Sequence, residues 1–491
     1  MENRDVFARC LQHILDEEGM TASAVSRLVG FRSRNSLQRI LNAETSADVD
    51  GRFLTALHEA LQDAWPQSYW HQLELALDIK RVGMQQHRSN QAFCVAVNGS
   101  EVLTDNKYMV EMRLDGNGEE RPLGELLRGL SKTGTISVVV CGCCDYMLTA
   151  CMANGFAAAG SEGRLKIRHY FDISKDHMVE NILGVMPLLS LPWYNARLVD
   201  EARCSPQMAA FYRMNIISLS VTDAAGKTSI HQMLQCSPER FIYTRSTGKY
   251  GTLVDVLDRH RFDLQLLKPR EKASEGMQAY LDYTQRCAEL EQDGMFLSVK
   301  PDVHFQLIPT EILYPAIREG FAQAGLCEEE ELDAVMDRLA QIHDRRVENM
   351  FTKRRPSHII YSLPAMEQFM RTGVLTDQFF VQRAYTKEER RVIVSRLLQM
   401  MQENPYFNIV FMDPRIPEVR AEMTFFEGKG VALMDAYTSY DLHDDHSEAL
   451  ITLPEFMRSF REFFMDVLLG RLTLNRKESM AQLERLLHMA E

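Results

Sequence analysis

The sequence predicts a multidomain fold: an all-α helix-turn-helix N-terminal domain followed by a large α/β (mixed α+β) C-terminal region. The chain has 491 residues, which is too long for a single hydrophobic core. Residues 1–64 show helical periodicity throughout, whereas strand and helix patterns alternate beyond residue 92. We therefore expect a helical domain over 1–64, a connecting helix and linker over 65–91, an α/β lobe over 92–270 and a helix-rich α/β lobe over 271–491.

The N-terminal domain is expected to contain four helices, because apolar side chains recur at helical spacing from the N-terminus onward. Thr21 is a suitable N-cap for the second helix, and Gly30 is placed to end it. The third helix fits residues 33–41. Asp48 or Asp50 can cap the fourth. The two short helices around Gly30 form the expected helix-turn-helix.

The C-terminal region is expected to begin after a polar linker over 85–91. A strand is predicted over 93–97, followed by a hairpin turn at Asn98-Gly99. A second hairpin is expected around Gly226. The sequence shows no internal repeat. Other predicted strands cover 107–114, 136–141, 165–171, 408–412, 430–437 and 448–453, and predicted helices cover 145–156, Thr310–Ala324, 328–350, 387–402, 454–469 and 477–489.

Charge distinguishes one segment of the N-terminal domain. The whole chain has a net charge of -13, so it repels a phosphate backbone. Residues 21–43 nevertheless contain four arginines and no acidic residue. Residues 1–64 as a whole hold seven basic and ten acidic residues. A nucleic-acid contact must therefore come from a local patch, and this segment is the candidate.

The third predicted helix has the side chains that a DNA recognition helix needs. Arginine pairs with guanine edges in the major groove, and asparagine or glutamine pairs with adenine. A helix N-terminus also attracts phosphates. The predicted DNA-binding residues are Arg32 and Ser33 at the phosphates and Arg34, Asn35, Ser36, Gln38 and Arg39 at the bases. The alternative is a helical domain that binds protein or has lost DNA binding, with solvated arginines.

Residues 20–61 resemble the helix-turn-helix of lambda-repressor-like (Cro-type) transcriptional regulators. The matching positions are Thr21 as cap, Val25 and Ser26 facing inward, Val29 and Gly30 at the turn, Leu37 and Ile40 on the buried side, and the closing helix at Leu54 to Leu61. The resemblance implies a regulator that binds double-stranded DNA as a homodimer, because each copy reads one half-site. The C-terminal region would then hold the dimer together or sense an unidentified small-molecule effector.

Two other functions stay open: an enzyme with a regulatory helix-turn-helix domain, and a protein-interaction scaffold in bacterial signalling or defence. No catalytic residue is predicted, because GxSxG, HExxH, GxGxxG, a complete phosphate loop and the phospholipase D type HxK are absent. Carboxylate pairs leave no linear trace, so catalysis is not excluded. Residues 225–228 match the end of a phosphate loop, but a hairpin turn is the preferred interpretation.

No metal site and no cofactor is predicted. The ten cysteines are expected to be reduced thiols. Cys141, Cys143, Cys144 and Cys151 form a cluster that either packs in the core or binds a soft metal or senses oxidation. The HDDH segment, 443–446, is either an acidic loop or a metal site. Basic residues within 345–355 are either a solvated helix end or an anion site.

The sequence also predicts where in the cell the protein is found. It has no stretch of eighteen apolar residues, so no membrane span is predicted. The first ten residues lack the apolar core of a signal peptide. We therefore expect a cytoplasmic protein.

Overall fold

The structure is a computed structural model that describes most of the chain. It contains two compact units, Met1–Gln91 and Ala92–Glu491. The predicted class is confirmed at the level of a mixed α/β protein with an N-terminal helical region and two mixed β-sheets. The described residues are 6–30, 34–62, 64–98, 107–114, 117–161, 163–172, 177–191, 194–199, 212–246, 277–292, 295–300, 303–324, 329–351, 356–375, 383–413, 421–437 and 446–489.

The N-terminal unit is built from helices that share one hydrophobic core. The helices are α1 (Val6–Glu17), α2 (Ala22–Leu28), α3 (Arg34–Leu41), α4 (Ala47–Leu61) and α5 (Gln67–Val82), and α6 (Met84–Asn98) begins in this unit. The core joins Phe7, Leu11, Val25, Leu37, Phe53, Leu57, Trp70 and Leu73. Trp70 and Leu73 lie on α5, so this helix is part of the same core.

The start of the C-terminal region differs from the sequence prediction. The linker over 85–91 and the strand over 93–97 are both wrong, because α6 covers them. The aromatic and β-branched residues of 93–97 favour a strand locally, but tertiary packing overrides that preference. Phe93 is fully buried and stacks on Phe463 with ring centroids 5.0 Å apart. Gly99 of the predicted hairpin turn lies outside the described residues.

The first sheet has eight strands in the order β2-β1-β8-β7-β6-β3-β4-β5. Its parallel part, β3-β4-β5, is connected by helices, and its antiparallel part begins where β6 pairs with β3. The strands are β1 (Met109–Leu114), β2 (Asn117–Pro122), β3 (Thr135–Cys141), β4 (Leu165–Asp172), β5 (Tyr194–Val199), β6 (Ile216–Thr222), β7 (Thr228–Ser237) and β8 (Arg240–Ser246), and the helices are α7 (Leu123–Ser131), α8 (Tyr146–Ser161) and α9 (Met178–Gly184), with a short 3-10 helix at Met186–Ser190.

The second sheet has six strands in the order β11-β10-β9-β12-β13-β14. The predicted helix Thr310–Ala324 is confirmed to the residue. The strands are β9 (Phe296–Lys300), β10 (Ser357–Tyr361), β11 (Phe407–Phe411), β12 (Ala421–Phe426), β13 (Val431–Tyr437) and β14 (His446–Ile451). The helices are α10 (Met277–Leu290), α11 (Thr310–Ala324), α12 (Glu329–Phe351), α13 (Leu363–Thr372), α14 (Lys387–Glu403), α15 (Pro454–Glu462), a π-helix at Phe463–Leu472 and α16 (Arg476–Met489).

The two sheets repeat one topology, although the sequence shows no repeat. In each, the repeated part begins with three parallel strands joined by helices, as β3-β4-β5 and as β9-β10-β11. Three antiparallel strands follow, and the first of them returns beside the first parallel strand. The pairing of β6 with β3 thus corresponds to that of β12 with β9. Among the described strands, β1 and β2 extend the first sheet and have no counterpart in the second.

An aromatic cluster anchors the core that the two sheets share. Phe93 of α6 lies 5.3 Å from Phe456 and 5.4 Å from Phe460 between ring centroids. Phe460 in turn contacts Phe425 of the second sheet at 5.9 Å. The same core contains buried side chains from both sheets, such as Val138 and Val299. Within the described residues, no helix combines the length and apolar character that crossing a membrane requires.

The Phe93 contacts give a stability prediction. Phe93→Ala should lower the free energy of unfolding of the C-terminal unit by about 3–5 kcal/mol, because it removes a large side chain from a dense core. Chemical denaturation followed by far-UV circular dichroism measures this loss. Val95→Ala is the matched control, since Val95 lies on the same helix and is 40% exposed. Equal losses in the two variants would contradict the role of Phe93 in the shared core.

Candidate nucleic-acid interface

The turn between α2 and α3 is formed by local backbone preferences. The Oγ1 of Thr21 accepts a hydrogen bond from the backbone N–H of Ala24 at 3.3 Å, which confirms the predicted N-cap. Gly30 has a φ of +70°, a conformation that residues with a Cβ rarely adopt. The N–H of Gly30 bonds to the carbonyl of Arg27 at 3.3 Å as α2 ends. The chain therefore stops α2 and starts α3 within a few residues.

Helix α3 has one buried side and one polar side. Leu37 and Ile40 are buried in the core of the N-terminal unit, as predicted. Asn35, Ser36, Gln38 and Arg39 are exposed. Because Leu37 and Ile40 fix one side of the helix against the core, the other side presents a row of polar groups to solvent.

The structure describes four of the seven predicted DNA-binding side chains. Arg32 and Ser33 lie outside the described residues. Arg34 is the first residue of α3, and its side chain is not described. Gln38 donates from Nε2 to Asn42 Oδ1 at 3.1 Å. Arg39 Nε lies 3.9 Å from a carboxylate oxygen of Glu44, with 64% of its side chain exposed. Such an exposed ion pair contributes little, so it leaves Arg39 able to change partner.

A buried ion pair connects α4 and α5, the two helices that pack in the same core as α3. Lys80 of α5 bonds to the carboxylate of Asp50 on α4, and Thr45 donates a hydrogen bond to the same carboxylate. The side chain of Asp50 is fully buried and that of Lys80 is 5% exposed. Two desolvated charges persist only as a pair, so this contact fixes α5 against α4.

The Asp50–Lys80 pair corrects the predicted cap of α4. Neither Asp48 nor Asp50 is the N-cap, which is Ser46 without a capping side-chain hydrogen bond. Sequence reasoning missed the pair because its members are thirty positions apart. One signal was available: Asp50 lies on the same helical stripe as Phe53, Leu54 and Leu57, and an acidic residue among core positions needs a partner.

A second polar cluster lies at the end of β9, inside the C-terminal unit. His304 Nδ1 is 2.9 Å from Tyr361 Oη, and its Nε2 is 2.9 Å from Ser298 Oγ. Ser298 Oγ is 3.0 Å from Thr424 Oγ1. A neutral imidazole completes this chain of hydrogen bonds, with Tyr361 donating to Nδ1 and Nε2–H donating to Ser298. Burial, aided by Lys300 and Arg346, holds the pKa of His304 well below its usual range.

A third cluster follows β3 and contains the cysteines. His169 lies 3.0 Å from Tyr194 Oη through Nδ1, and its Nε2 donates to the Gly142 carbonyl. Burial lowers the pKa of His169 to about 4. Burial also raises the pKa of Cys141 to about 12 and raises the pKa values of Cys143 and Cys144. Cys141, Cys143 and Cys151 are buried, which supports core packing, because burial disfavours the thiolate that redox chemistry requires.

The other motifs that the sequence singled out have structural roles wherever the structure describes them. The predicted hairpin is confirmed: β6 and β7 pair antiparallel, and Gly226 has a positive φ in the turn. Arg346, one of the basic residues of 345–355, is buried and bonds to Glu291 through three contacts of 2.6–3.0 Å. Residues 352–355 and 438–445 lie outside the description. Elsewhere, among described side chains, no group of three potential metal ligands forms.

Comparisons with known proteins identify no family for this chain. No protein family and no curated protein matches it. One solved structure with a match is phosphatidylserine synthase from Haemophilus influenzae Rd KW20, at 7% identity and a TM-score of 0.24. The match covers 82% of this chain and 98% of that chain. A similarity at that score establishes neither a shared fold nor a shared activity.

The buried ion pair gives a prediction for the N-terminal unit. Asp50→Asn should lower its free energy of unfolding by about 3–5 kcal/mol, because Lys80 keeps a buried charge without a counterion. Urea denaturation measures the loss, and Asp48→Asn on the exposed side of α4 should cost far less. Asp50→Leu combined with Lys80→Met should recover most of the stability. An Asp50→Asn variant as stable as Asp48→Asn would refute the pairing.

The buried histidines give a pH prediction for the C-terminal unit. The free energy of unfolding should fall as the pH drops from 6.5 towards 4, because the unfolded chain then binds protons that folded His169 excludes. Folded His304 excludes them for the same reason. The slope is at most about 1.4 kcal/mol per pH unit for each histidine. Denaturation at a series of pH values should show a shallower slope for His169→Asn than for the parent protein, and equal slopes would contradict the prediction.

Proposed function

We propose that the protein is a DNA-binding transcriptional regulator that acts as a homodimer. The N-terminal unit would be a helix-turn-helix of the lambda-repressor-like type, and α3 its recognition helix. The exposed polar row on α3 carries this proposal, because the turn at Gly30 and the buried Leu37 and Ile40 present that row as one surface. Base readout in the major groove requires such a surface on a rigidly supported helix.

The charge distribution suits sequence-specific binding of moderate affinity. The four arginines of 21–43 lie within an N-terminal domain that carries more acidic than basic residues. Long-range attraction to phosphates is therefore weak, and affinity has to come from local contacts and from pairing two half-sites. We propose that the C-terminal unit supplies the regulatory part, by sensing a small-molecule effector or by stabilising the dimer.

The enzyme alternative receives less support from the described residues. The His304 and His169 clusters form closed hydrogen-bond chains in the core, and the nearby thiols are held protonated by burial. An active site needs a reactive group that a substrate can reach. These clusters are better explained as structural networks that order the ends of β3 and β9.

Binding experiments with the full chain test the proposal. Duplexes selected from a random library should share a sequence motif, and their affinity should fall steeply with salt. Arg34→Ala should weaken binding to the selected duplex by about 1–3 kcal/mol and relax its preference at one base pair, because a bidentate base contact is lost. Fluorescence anisotropy measures both effects.

The matched control is Arg88→Ala, which removes an exposed arginine of α6 from the same unit. It should bind the selected duplex like the parent protein. Equal affinities of parent and Arg34→Ala for the selected duplex would remove Arg34 from the recognition set. A library that yields no shared motif would contradict sequence-specific DNA binding itself.

A further inference from the structure

An open groove of about 810 Å³ runs between α4 and α5 on the N-terminal unit. Its apolar lining comes from Leu54, Trp70 and Leu77, which are largely buried. Its charged lining comes from both helices and has both signs. The charged residues are Asp48, Arg52 and Glu59 on α4, and Glu74 and Arg81 on α5.

The charged residues of this α4–α5 groove have no partner among the residues that the structure describes. All five are exposed, and none forms an ion pair or a side-chain hydrogen bond with another described residue. Elsewhere in the unit, Asp50, Asp78 and Glu44 each have a basic neighbour. Five exposed charges without a described partner therefore lie along the groove.

The charges along α4 are ordered so that two antiparallel copies of the helix, related by a two-fold axis, would place opposite charges together. Arg52 and Glu59 are seven residues apart on α4, which is two helical turns and about 10.5 Å. They lie on the same face with Thr55 and Ala56 midway between them. When such a helix crosses a second copy of itself antiparallel at that midpoint, each arginine lies opposite a glutamate. Glu74 and Arg81 have the same seven-residue separation on α5, with the order of charges reversed.

We propose that the α4–α5 groove is an interface between two copies of this chain. Helix α4 of one copy lies in the groove of the other, antiparallel to its counterpart, about a two-fold axis near Thr55. Arg52 of each copy then pairs with Glu59 of the second copy. This mixed pattern of charge complements itself, which is what a symmetric interface requires. Three carboxylates among five charges would repel a polyanion such as DNA.

This inference deepens the proposed function, since it names the partner surface of the proposed homodimer. None of the residues predicted to bind DNA lines the groove, so the dimer leaves both copies of α3 uncovered. It also places a dimer contact in the N-terminal unit instead of relying on the C-terminal unit alone. Dimerisation is measured without DNA, so its failure is distinguishable from a failure of DNA binding.

Charge reversal in the full chain tests the interface. Sedimentation velocity over a range of concentrations should show a monomer–dimer equilibrium for the parent protein. Arg52→Glu and Glu59→Arg should each raise the dimer dissociation constant about tenfold or more, because like charges then meet twice across the axis. The double variant Arg52→Glu with Glu59→Arg should restore the dissociation constant of the parent, since it exchanges the two signs.

Arg88→Glu is the control, because it makes the same charge change on α6 outside the groove. Far-UV circular dichroism verifies that each variant is folded. A parent protein that stays monomeric at all concentrations would overturn the proposal. A dimer that tolerates Arg52→Glu, or a double variant that fails to recover, would place the contact on another surface and overturn it equally.

Discussion

The buried contact between Asp50 and Lys80 is the constraint on which the N-terminal unit depends. Neither charge can remain in the core alone, so α4 and α5 are held together wherever this pair forms. Helix α4 also contributes Phe53 and Leu57 to the core that supports α3. One ion pair thus links the helix beneath α3 to its partner in the pair of helices that forms the groove. Dimerisation and DNA contact would use different faces of the same small bundle.

The C-terminal unit is organised by duplication of one strand order. Each sheet places a parallel βαβαβ segment beside three antiparallel strands, and a buried histidine lies near the end of the parallel strands in both. His169 and His304 are held neutral by burial and by complete hydrogen bonding. These networks fix the local geometry around the ends of the strands. Aromatic packing around Phe93 then joins elements of both sheets into a single core.

The sequence predicted elements well where local signals agree with the final packing. The hairpin around Gly226 contains turn residues, and the helix Thr310–Ala324 has helical periodicity over its whole length. Each signal leaves few alternative structures. Residues 93–97 were mispredicted, because contacts with α15 far along the chain decide their conformation. On α3, periodicity identified Leu37 and Ile40 as buried. It thereby also identified which side of the helix is polar. The identity of the partner of Asp50 and the duplicated topology were not predictable, since both depend on pairings between distant segments.

In the proposed function, two copies of α3 read one DNA site. Mapping the positions that the protein occupies on the chromosome of the cell that makes it tests this most directly. The account predicts a limited set of bound sites that share an inverted repeat, with half-sites about ten base pairs apart or a multiple of that spacing. Occupancy no greater than in cells that lack the protein, or bound sites without a shared motif, would contradict the account.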